Sequence, residues 1–289
     1  MTAPTVLPTE LVVSMTRRGR RLSAGIVLVL GFLVLVAVLA LFGAALAPID
    51  PRAQDLNAAL SGPTGHFWFG TDSLGRDIFS RTLAGARTAL VGPVLVAAGA
   101  MLIGNVFGLL AGYRGGWIDT VVMRTVDLMY ALPPLLVAIV IGGVVGGGYW
   151  VAVAILVVLF SPYDARLIRG AALEQRNLPY VEASRTLGLS SARIMARHVW
   201  PNLLPLVVAN TFLNFAFALV TLAGLSFIGI GVPPGTADWG QMLADSRALL
   251  FDNPWAALAP GGALVATAVS MNLTGDWMYE RLSDRGRTR

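Results

Sequence analysis

Few residues in this sequence are of types that carry out chemistry. There is no cysteine, and the two histidines, His66 and His198, lie far apart, which argues against thiol chemistry and a histidine metal site. All 21 basic residues are arginine, whereas a P-loop needs a lysine for the nucleotide phosphates. Gly224 and Ser226 match part of a serine-hydrolase motif, but the second glycine and a nearby histidine are missing. We therefore predict no catalytic residue, no metal and no cofactor in this chain.

A charged group stands between the first two apolar segments. Asp72, Arg76 and Asp77 fall within six residues. One interpretation is a surface ion-pair cluster at the start of an amphipathic helix, with Asp72 or Ser73 as its N-cap. The other is a contact surface for an external partner protein.

Polar residues are also found inside the apolar segments. Asn210 and Asn214 are four residues apart and share a helix face, and Thr221 lies close to that face. These three residues either line a translocation path or form hydrogen bonds between helices. Asp127 and Asp164 are expected near the cytoplasmic ends of their helices. That leaves no ionisable group at mid-membrane, which argues against proton-coupled transport.

The elements that position these residues are predicted to be membrane-spanning helices. The sequence is 56% hydrophobic and only 13% charged, whereas soluble domains carry about 25% charged residues. A helix of about 20 apolar residues crosses the hydrocarbon core. The fold class is therefore an all-α membrane protein with six transmembrane helices, at Ala24–Ala47, Leu90–Leu110, Met123–Val145, Tyr149–Leu167, Leu203–Gly229 and Trp255–Leu273. Pro133 and Pro134 should kink the third helix.

Arginine placement gives the orientation of these helices. With the N-terminus in the cytoplasm, 16 of the 21 arginines fall on the inner side, as the positive-inside rule requires. We expect both termini to be cytoplasmic, and we attribute the basic charge to membrane orientation rather than to nucleic acid. The predicted organisation is a tail (1–23), a first transmembrane helix (24–47), an extracytoplasmic loop (48–86), a core of five helices (87–276) and a tail (277–289).

The loop between the fourth and fifth helices, residues 168–202, is cytoplasmic in this orientation. Pro179 can open a short helix, and Glu182 suits its N-terminus. Gly188 is suited to end it with a positive φ angle, and a serine at 190 or 191 can cap a second short helix. The two short helices are either a docking element for a soluble partner or an amphipathic connector.

This loop resembles the EAA loop of permeases in ATP-binding-cassette (ABC) importers. In such a permease the loop forms a coupling helix that docks on the ATPase subunit. The residues that match are Glu182, Ala183, Ser184, Gly188, His198, Trp200 and Pro201. The sequence departs from the family pattern at Ser184, where alanine is usual, and at Trp200, where leucine is usual. The ending from His198 to Asn202 is similar to that of dipeptide, oligopeptide and nickel permeases.

Four further segments carry the same resemblance, in the family's order and on the expected sides of the membrane: Phe69–Asp77, Leu110–Asp119, Leu225–Pro234 and Asn272–Asp276. They resemble the C-type permease of this group. The resemblance implies a type I importer fold and a bacterial cytoplasmic-membrane location. It also implies a second, B-type permease, two ATPase subunits that bind ATP and magnesium, and an extracytoplasmic substrate-binding protein.

Three alternatives stay open at this stage. A nickel importer has the same motifs. A secondary transporter would show an inverted repeat and ionisable residues at mid-membrane. An intramembrane enzyme would need catalytic groups, and the sequence offers none.

Overall fold

The computed structural model describes residues 23–286. Within that range all regular secondary structure is helical apart from one isolated bridge between Thr71 and Asp77. The α-helices are α1 (Ala24–Leu46), α2 (Ile78–Arg114), α3 (Gly116–Tyr130), α4 (Pro134–Val145), α5 (Tyr149–Arg176), α6 (Pro179–Thr186), α7 (Ser191–Ile194), α8 (Trp200–Ile228), α9 (Trp239–Asp245) and α10 (Trp255–Gly286).

Five helical segments in the described range are long and apolar enough to cross a membrane. They are α1, α2, α5, α10 and the continuous run from α7 through α8. The pair α3 and α4 qualifies as a sixth crossing, bent by 79° at the break before Pro134. The predicted kink at Pro133 and Pro134 is thus confirmed, and it is a full interruption of the helix. The six predicted helices correspond to these six crossings.

Several helices extend well beyond the predicted apolar segments. α2 begins at Ile78 rather than near Leu90, and α5 continues to Arg176 rather than ending near Leu167. Hydropathy marks only the part of a helix that lies in hydrocarbon, and the helix itself continues into polar surroundings. The predicted N-cap at Asp72 or Ser73 is also wrong, because the Asp77 carboxylate accepts the Ser80 backbone N–H at 2.8 Å and caps α2.

Helices α2 and α5 pack closely because glycines on α2 face α5. Gly104, Gly108 and Gly112 recur every four residues and so form one stripe. A Cβ atom on Gly108 would lie 2.5 Å from the Ala165 carbonyl oxygen, and one on Gly112 would lie 2.6 Å from that of Arg169. Small residues at such a stripe let helix backbones approach each other, which is how many membrane helices associate.

A serine compensates for the proline inside α5. Pro162 has no N–H to donate to the carbonyl of Val158, one turn earlier. The Ser161 hydroxyl donates to that carbonyl at 2.9 Å instead. The backbone acceptor therefore stays satisfied inside the bilayer, where an unpaired carbonyl costs several kcal/mol.

Candidate coupling site and intramembrane polar cluster

Helix α6 follows directly on α5 and presents a polar face. Pro179 occupies its first turn and Glu182 lies near its N-terminus, as predicted. Glu182 and Ala183 are exposed, whereas Ser184 is buried and donates a hydrogen bond to the Tyr180 carbonyl at 2.8 Å. The side chains that matched the coupling motif therefore divide between an outward face and an inward face of one short helix.

Gly188 ends α6 in the predicted left-handed conformation, with φ +77°. The Leu189 N–H donates to the Ser184 carbonyl at 3.2 Å, and the Gly188 N–H donates to the Arg185 carbonyl at 2.9 Å. These two bonds are the pair that defines a Schellman motif. A Cβ atom at Gly188 would meet nothing within 4 Å, so it is the backbone angle and not space that favours glycine here.

The inward face of α6 is anchored by apolar packing. Val181 is fully buried in a cluster formed by residues from α2, α5, α6 and the segment leading into α8. Its buried members are Tyr113, Ile168, Ala172, Val181, Ile194, Met195, Val199, Leu203 and Val207. Burying one such aliphatic side chain is worth about 1.5–3 kcal/mol. This cytoplasmic cluster makes α6 a fixed protrusion rather than a loose connector.

A hydrogen-bond network around Tyr180 links α6 to its neighbours. The Tyr180 hydroxyl donates to Gln175 Oε1 at 2.5 Å and accepts from Asn202 Nδ2 at 3.2 Å. Asn202 Nδ2 also donates to the His198 carbonyl at 2.7 Å. Partial burial raises the pKa of the Tyr180 hydroxyl, and the Asn202 bond acts in the opposite direction. The hydroxyl therefore stays neutral and keeps the proton that it donates to Gln175.

The second short helix is not a separate element. Ser190 caps α7 as predicted, since its side chain accepts the Arg193 N–H at 3.4 Å. The chain then passes through a π-helical turn at Met195–Val199 straight into α8. His198 lies within that turn, and Pro201 lies in the first turn of α8. α7 and α8 thus form one uninterrupted helical run.

The exposed face of α6 borders a polar depression of about 530 Å³. Its lining residues are Arg176, Asn177, Glu182, Arg185 and Thr186. The Arg185 guanidinium lies 5.3 Å from the centre of the Tyr113 ring, and Arg176 Nη1 donates to the Gly112 carbonyl at 3.2 Å. Beside the depression, the Leu187 side chain is 80% exposed. The surface thus combines positive and negative charges with one exposed apolar side chain, and sequence reasoning did not single out Arg176 or Leu187.

At the other end of the long helices from α6, the side chains of Asp72, Arg76 and Asp77 are buried rather than exposed. Each is at most 6% exposed. Arg76 Nε donates to Asp72 at 2.6 Å, and Arg76 Nη2 lies 3.4 Å from the Asp245 carboxylate. The ion-pair interpretation therefore describes the geometry, although the cluster is internal and not on the surface. Contact between this region and a binding protein stays a prediction. Because the three side chains are buried in this conformation, the contact would be made by the loop that they hold in place.

Arg81 completes this extracytoplasmic cluster and is only 1% exposed. Its guanidinium donates to the carbonyls of Gly235 at 3.2 Å, Thr236 at 3.1 Å and Pro51 at 3.3 Å. Arg76 and Arg81 therefore fasten residues 235–245 to the start of α2. Because the contacts between these arginines and residues 235–245 join positions more than 150 residues apart, sequence reasoning missed Arg81 and Asp245.

A polar cluster joins α5 to α8 inside the membrane. Asn214 Nδ2 donates to both oxygens of Asp164, at 2.7 and 2.9 Å, and Asn210 Nδ2 donates to the same carboxyl. All three side chains are buried, Asp164 to 1% exposure. Asp164 lies about 22 Å along α5 from Tyr149 and about 18 Å from Arg176, at 1.5 Å per residue. Asp164 therefore lies near the middle of α5, and its expected position toward the cytoplasmic end of the membrane-spanning part stays a prediction.

Thr221 is not part of that cluster. Its hydroxyl donates to the Phe217 carbonyl on its own helix at 2.7 Å, on the side of α8 where Phe217 is exposed. Asn210 and Asn214 thus make the interhelical hydrogen bonds that were one of the two interpretations. Whether any of the three residues lines a path stays a prediction.

This architecture is that of a multi-pass helical membrane protein with a short, anchored helix between two of its crossings. Residues 104–288 match the family described as "Binding-protein-dependent transport system inner membrane component". The chain belongs to this family. It is a transporter subunit of the inner membrane and not an enzyme, since its relatives are permease subunits of ABC transporters.

Relatives and one solved structure agree with this family. The chain is 39% identical over 240 residues to a Brucella suis protein named as a peptide permease, covering 82% of this chain and 80% of that one. It is 32% identical over 271 residues to the dipeptide transport system permease protein DppC of Alkalihalophilus pseudofirmus, covering 93% and 87%. An inward-facing structure of the MetNI methionine ABC transporter superimposes with a TM-score of 0.57 at 21% identity, covering 70% of this chain and 95% of that one. The fold is therefore that of a type I importer permease.

Proposed function

We propose that this chain is the C-type permease of an ATP-driven importer of short peptides. It forms the translocation path with a second permease, and residues 168–202 couple it to two ATPase subunits that bind ATP and magnesium. An extracytoplasmic binding protein delivers the substrate. Both termini and residues 168–202 lie on the cytoplasmic side, as the arginine distribution favours.

One observation carries the coupling role. Helix α6 is held against the rest of the protein by the buried Val181 and ends at Gly188 in a Schellman motif, while Glu182 and Leu187 are exposed to a partner. A rigid element with exposed charges and one exposed apolar side chain suits docking into a complementary cleft. A mere connector would have no need for an anchored inner face and a Schellman termination.

The names of the relatives favour peptides as the substrate. The Brucella suis and Alkalihalophilus pseudofirmus proteins are named for peptide and dipeptide transport, and neither is named for nickel. Competing uptake of a labelled dipeptide and radioactive nickel by cells that express the whole transporter tests this choice. Uptake of nickel but not of dipeptide would contradict the peptide proposal.

The translocation path, in this proposal, follows the side of α8 that carries Thr221. Phe217 and Val220 are more than half exposed on that side, which leaves it open to the second permease, to substrate or to lipid. Asn210 and Asn214 are directed at α5 and would support the wall of the path rather than touch the substrate.

The coupling proposal is tested by reversing one charge on α6. Glu182→Lys places a positive charge near a helix N-terminus and at the docking face, and both effects are unfavourable. We expect the chain to insert normally and substrate-stimulated ATP hydrolysis by the whole complex to fall roughly tenfold or more. The measurements are co-purification of the ATPase subunits and ATPase activity with and without loaded binding protein.

Asp252→Lys is the matched control, since it makes the same charge reversal at an exposed residue in the 230–254 loop, away from α6. It should leave stimulation unchanged. Wild-type stimulation and transport by Glu182→Lys would show that α6 is not the coupling element.

A further inference from the structure

The Asp164 carboxyl is an unusual group to find inside a bilayer. It accepts hydrogen bonds from Asn210 and Asn214, which are uncharged. Within residues 23–286 no arginine forms a salt bridge with it. Arg166 pairs with Asp127 at 2.5 Å, and Arg169 pairs with Asp119. Intramembrane ionisable residues are costly, and they usually mark a functional position.

The two helices that Asp164 joins are the two that flank the coupling element. α5 ends at Arg176, two residues before α6, and α7 continues into α8 through the π-helical turn. A displacement of α6 therefore acts on the cytoplasmic ends of both helices. Whether that displacement reaches mid-membrane depends on whether α5 and α8 keep their register.

Apolar packing alone does not fix that register. α5 and α8 also meet through the cytoplasmic cluster and through a second apolar cluster that contains Leu156 and Leu222. Contacts between aliphatic side chains are not directional and tolerate sliding, whereas hydrogen bonds are directional and do not. The contact of Asp164 with Asn210 and Asn214 lies between the two apolar clusters. It also faces α2, where Gly104 leaves no room for a side chain against Asp164.

We propose that Asp164 is a positioning residue that locks α5 and α8 into one rigid lever, so that movement of α6 reaches the extracytoplasmic half of the permease. The inference deepens the proposed function and rests on it. Asn210 and Asn214 are the other half of the lock. The lever moves as one body between the states of the transport cycle.

The direct test measures the distance between α5 and α8 in the assembled transporter. The chain has no cysteine, so spin labels can be placed at Val158→Cys on α5 and Phe217→Cys on α8, both of which are more than half exposed. Double electron–electron resonance should give the same distance, within about 2 Å, without nucleotide and with trapped ATP. A larger change in the functional complex would overturn the proposal.

Substitutions test the residue itself. Asp164→Leu leaves both amides without their acceptor, and it should broaden the Val158–Phe217 distance distribution. It should also lower the amount of peptide transported per ATP hydrolysed, by roughly three- to tenfold. Thr267→Val is the matched control, because this buried hydroxyl on α10 bonds only within its own helix, to the Ala263 carbonyl. The control should keep both readouts at wild-type values.

Exchanging the two residue types between α5 and α8 tests the proposal even if the Asp164→Leu variant fails to insert into the membrane. Asp164→Asn combined with Asn214→Asp restores one carboxyl and two amides in exchanged positions. It should recover transport per ATP relative to Asp164→Asn alone or Asn214→Asp alone. No recovery would refute the lock, and so would wild-type coupling in Asp164→Leu.

The two proposals fail in different ways. If the wild-type complex shows no substrate-stimulated hydrolysis, the proposed function is wrong. If it does, and the α5–α8 distance changes through the cycle, only the lever is wrong.

Discussion

At the scale of single residues, Gly188 is a position where the backbone angle, and not the space around the residue, favours glycine. Its φ is +77°, and no atom within 4 Å would meet an added Cβ. Asparagine tolerates the left-handed region, whereas a β-branched residue does not. We expect Gly188→Val to reduce substrate-stimulated ATP hydrolysis strongly and Gly188→Asn to retain most of it, because the left-handed conformation costs valine about 1–2 kcal/mol.

Both Gly188 variants should insert equally well, since the residue lies outside the membrane-spanning segments. Membrane yield of each variant, measured together with hydrolysis, separates coupling from assembly. Equal hydrolysis by the valine and asparagine variants would show that the left-handed turn has no part in coupling.

Arg81 is the residue whose loss should most disturb the extracytoplasmic side. Arg81→Met removes the donors to the Gly235 and Thr236 carbonyls, whose hydrogen bonds are partly buried. Each unsatisfied buried group costs about 1–3 kcal/mol, so the 235–245 segment should detach from α2 more often. Faster proteolysis of that segment in membrane vesicles, compared with the exposed-site control Arg52→Met, is the expected result. Unchanged proteolysis would contradict the clamp.

Single residues also show which features of the structure can be predicted from the sequence and which cannot. The cap at Ser190, the first turn at Pro179 and the positive φ at Gly188 were predictable, because each depends on the chemistry of a few adjacent residues. The contacts of Asp164 with Asn210 and Asn214, and of Arg81 with residues 235 and 236, were not, because these partners lie 46 or more residues away along the chain. Nothing local to those two residues identifies these partners.

At the scale of helices, hydropathy identified each crossing but not its ends. α2 and α5 continue for about three turns beyond the apolar stretches that predict them, because a helix needs only backbone hydrogen bonds to continue into polar surroundings. That extension is what places Asp164 near the middle of α5. The break between α3 and α4 was indicated by two adjacent prolines, but its 79° angle depends on packing that the sequence does not display.

The glycine stripe on α2 gives a prediction at the same scale. Gly108→Leu inserts a side chain where α5 leaves no room for even a Cβ atom. Overpacking of this kind costs about 1–3 kcal/mol or more, so we expect a lower unfolding temperature of the detergent-solubilised complex. Gly170→Leu on α5 is the control, because a Cβ there meets nothing within 4 Å. Equal unfolding temperatures for the two variants would show that the stripe does not set the α2–α5 distance.

At the scale of the whole molecule, the docking element and the arginine clamp lie at opposite ends of the same long helices. α5 runs from Tyr149 to the start of α6, and α2 runs from the clamp at Arg81 to the cytoplasmic cluster at Tyr113. The glycine stripe joins α2 to α5, and Asp164 joins α5 to α8. The molecule is therefore built so that a force on α6 has a continuous path to the extracytoplasmic loops.

This arrangement requires that α6 and the arginine clamp lie on opposite sides of the membrane. Single cysteines at His66 and Asp252, both exposed, should react with a membrane-impermeant thiol reagent in intact cells. Cysteines at Glu174 and Leu187, also exposed, should react only after the membrane is permeabilised. The cysteine-free background makes each signal specific. Labelling of Leu187→Cys from outside would invert the orientation, and it would place α6 where no cytoplasmic ATPase can reach it.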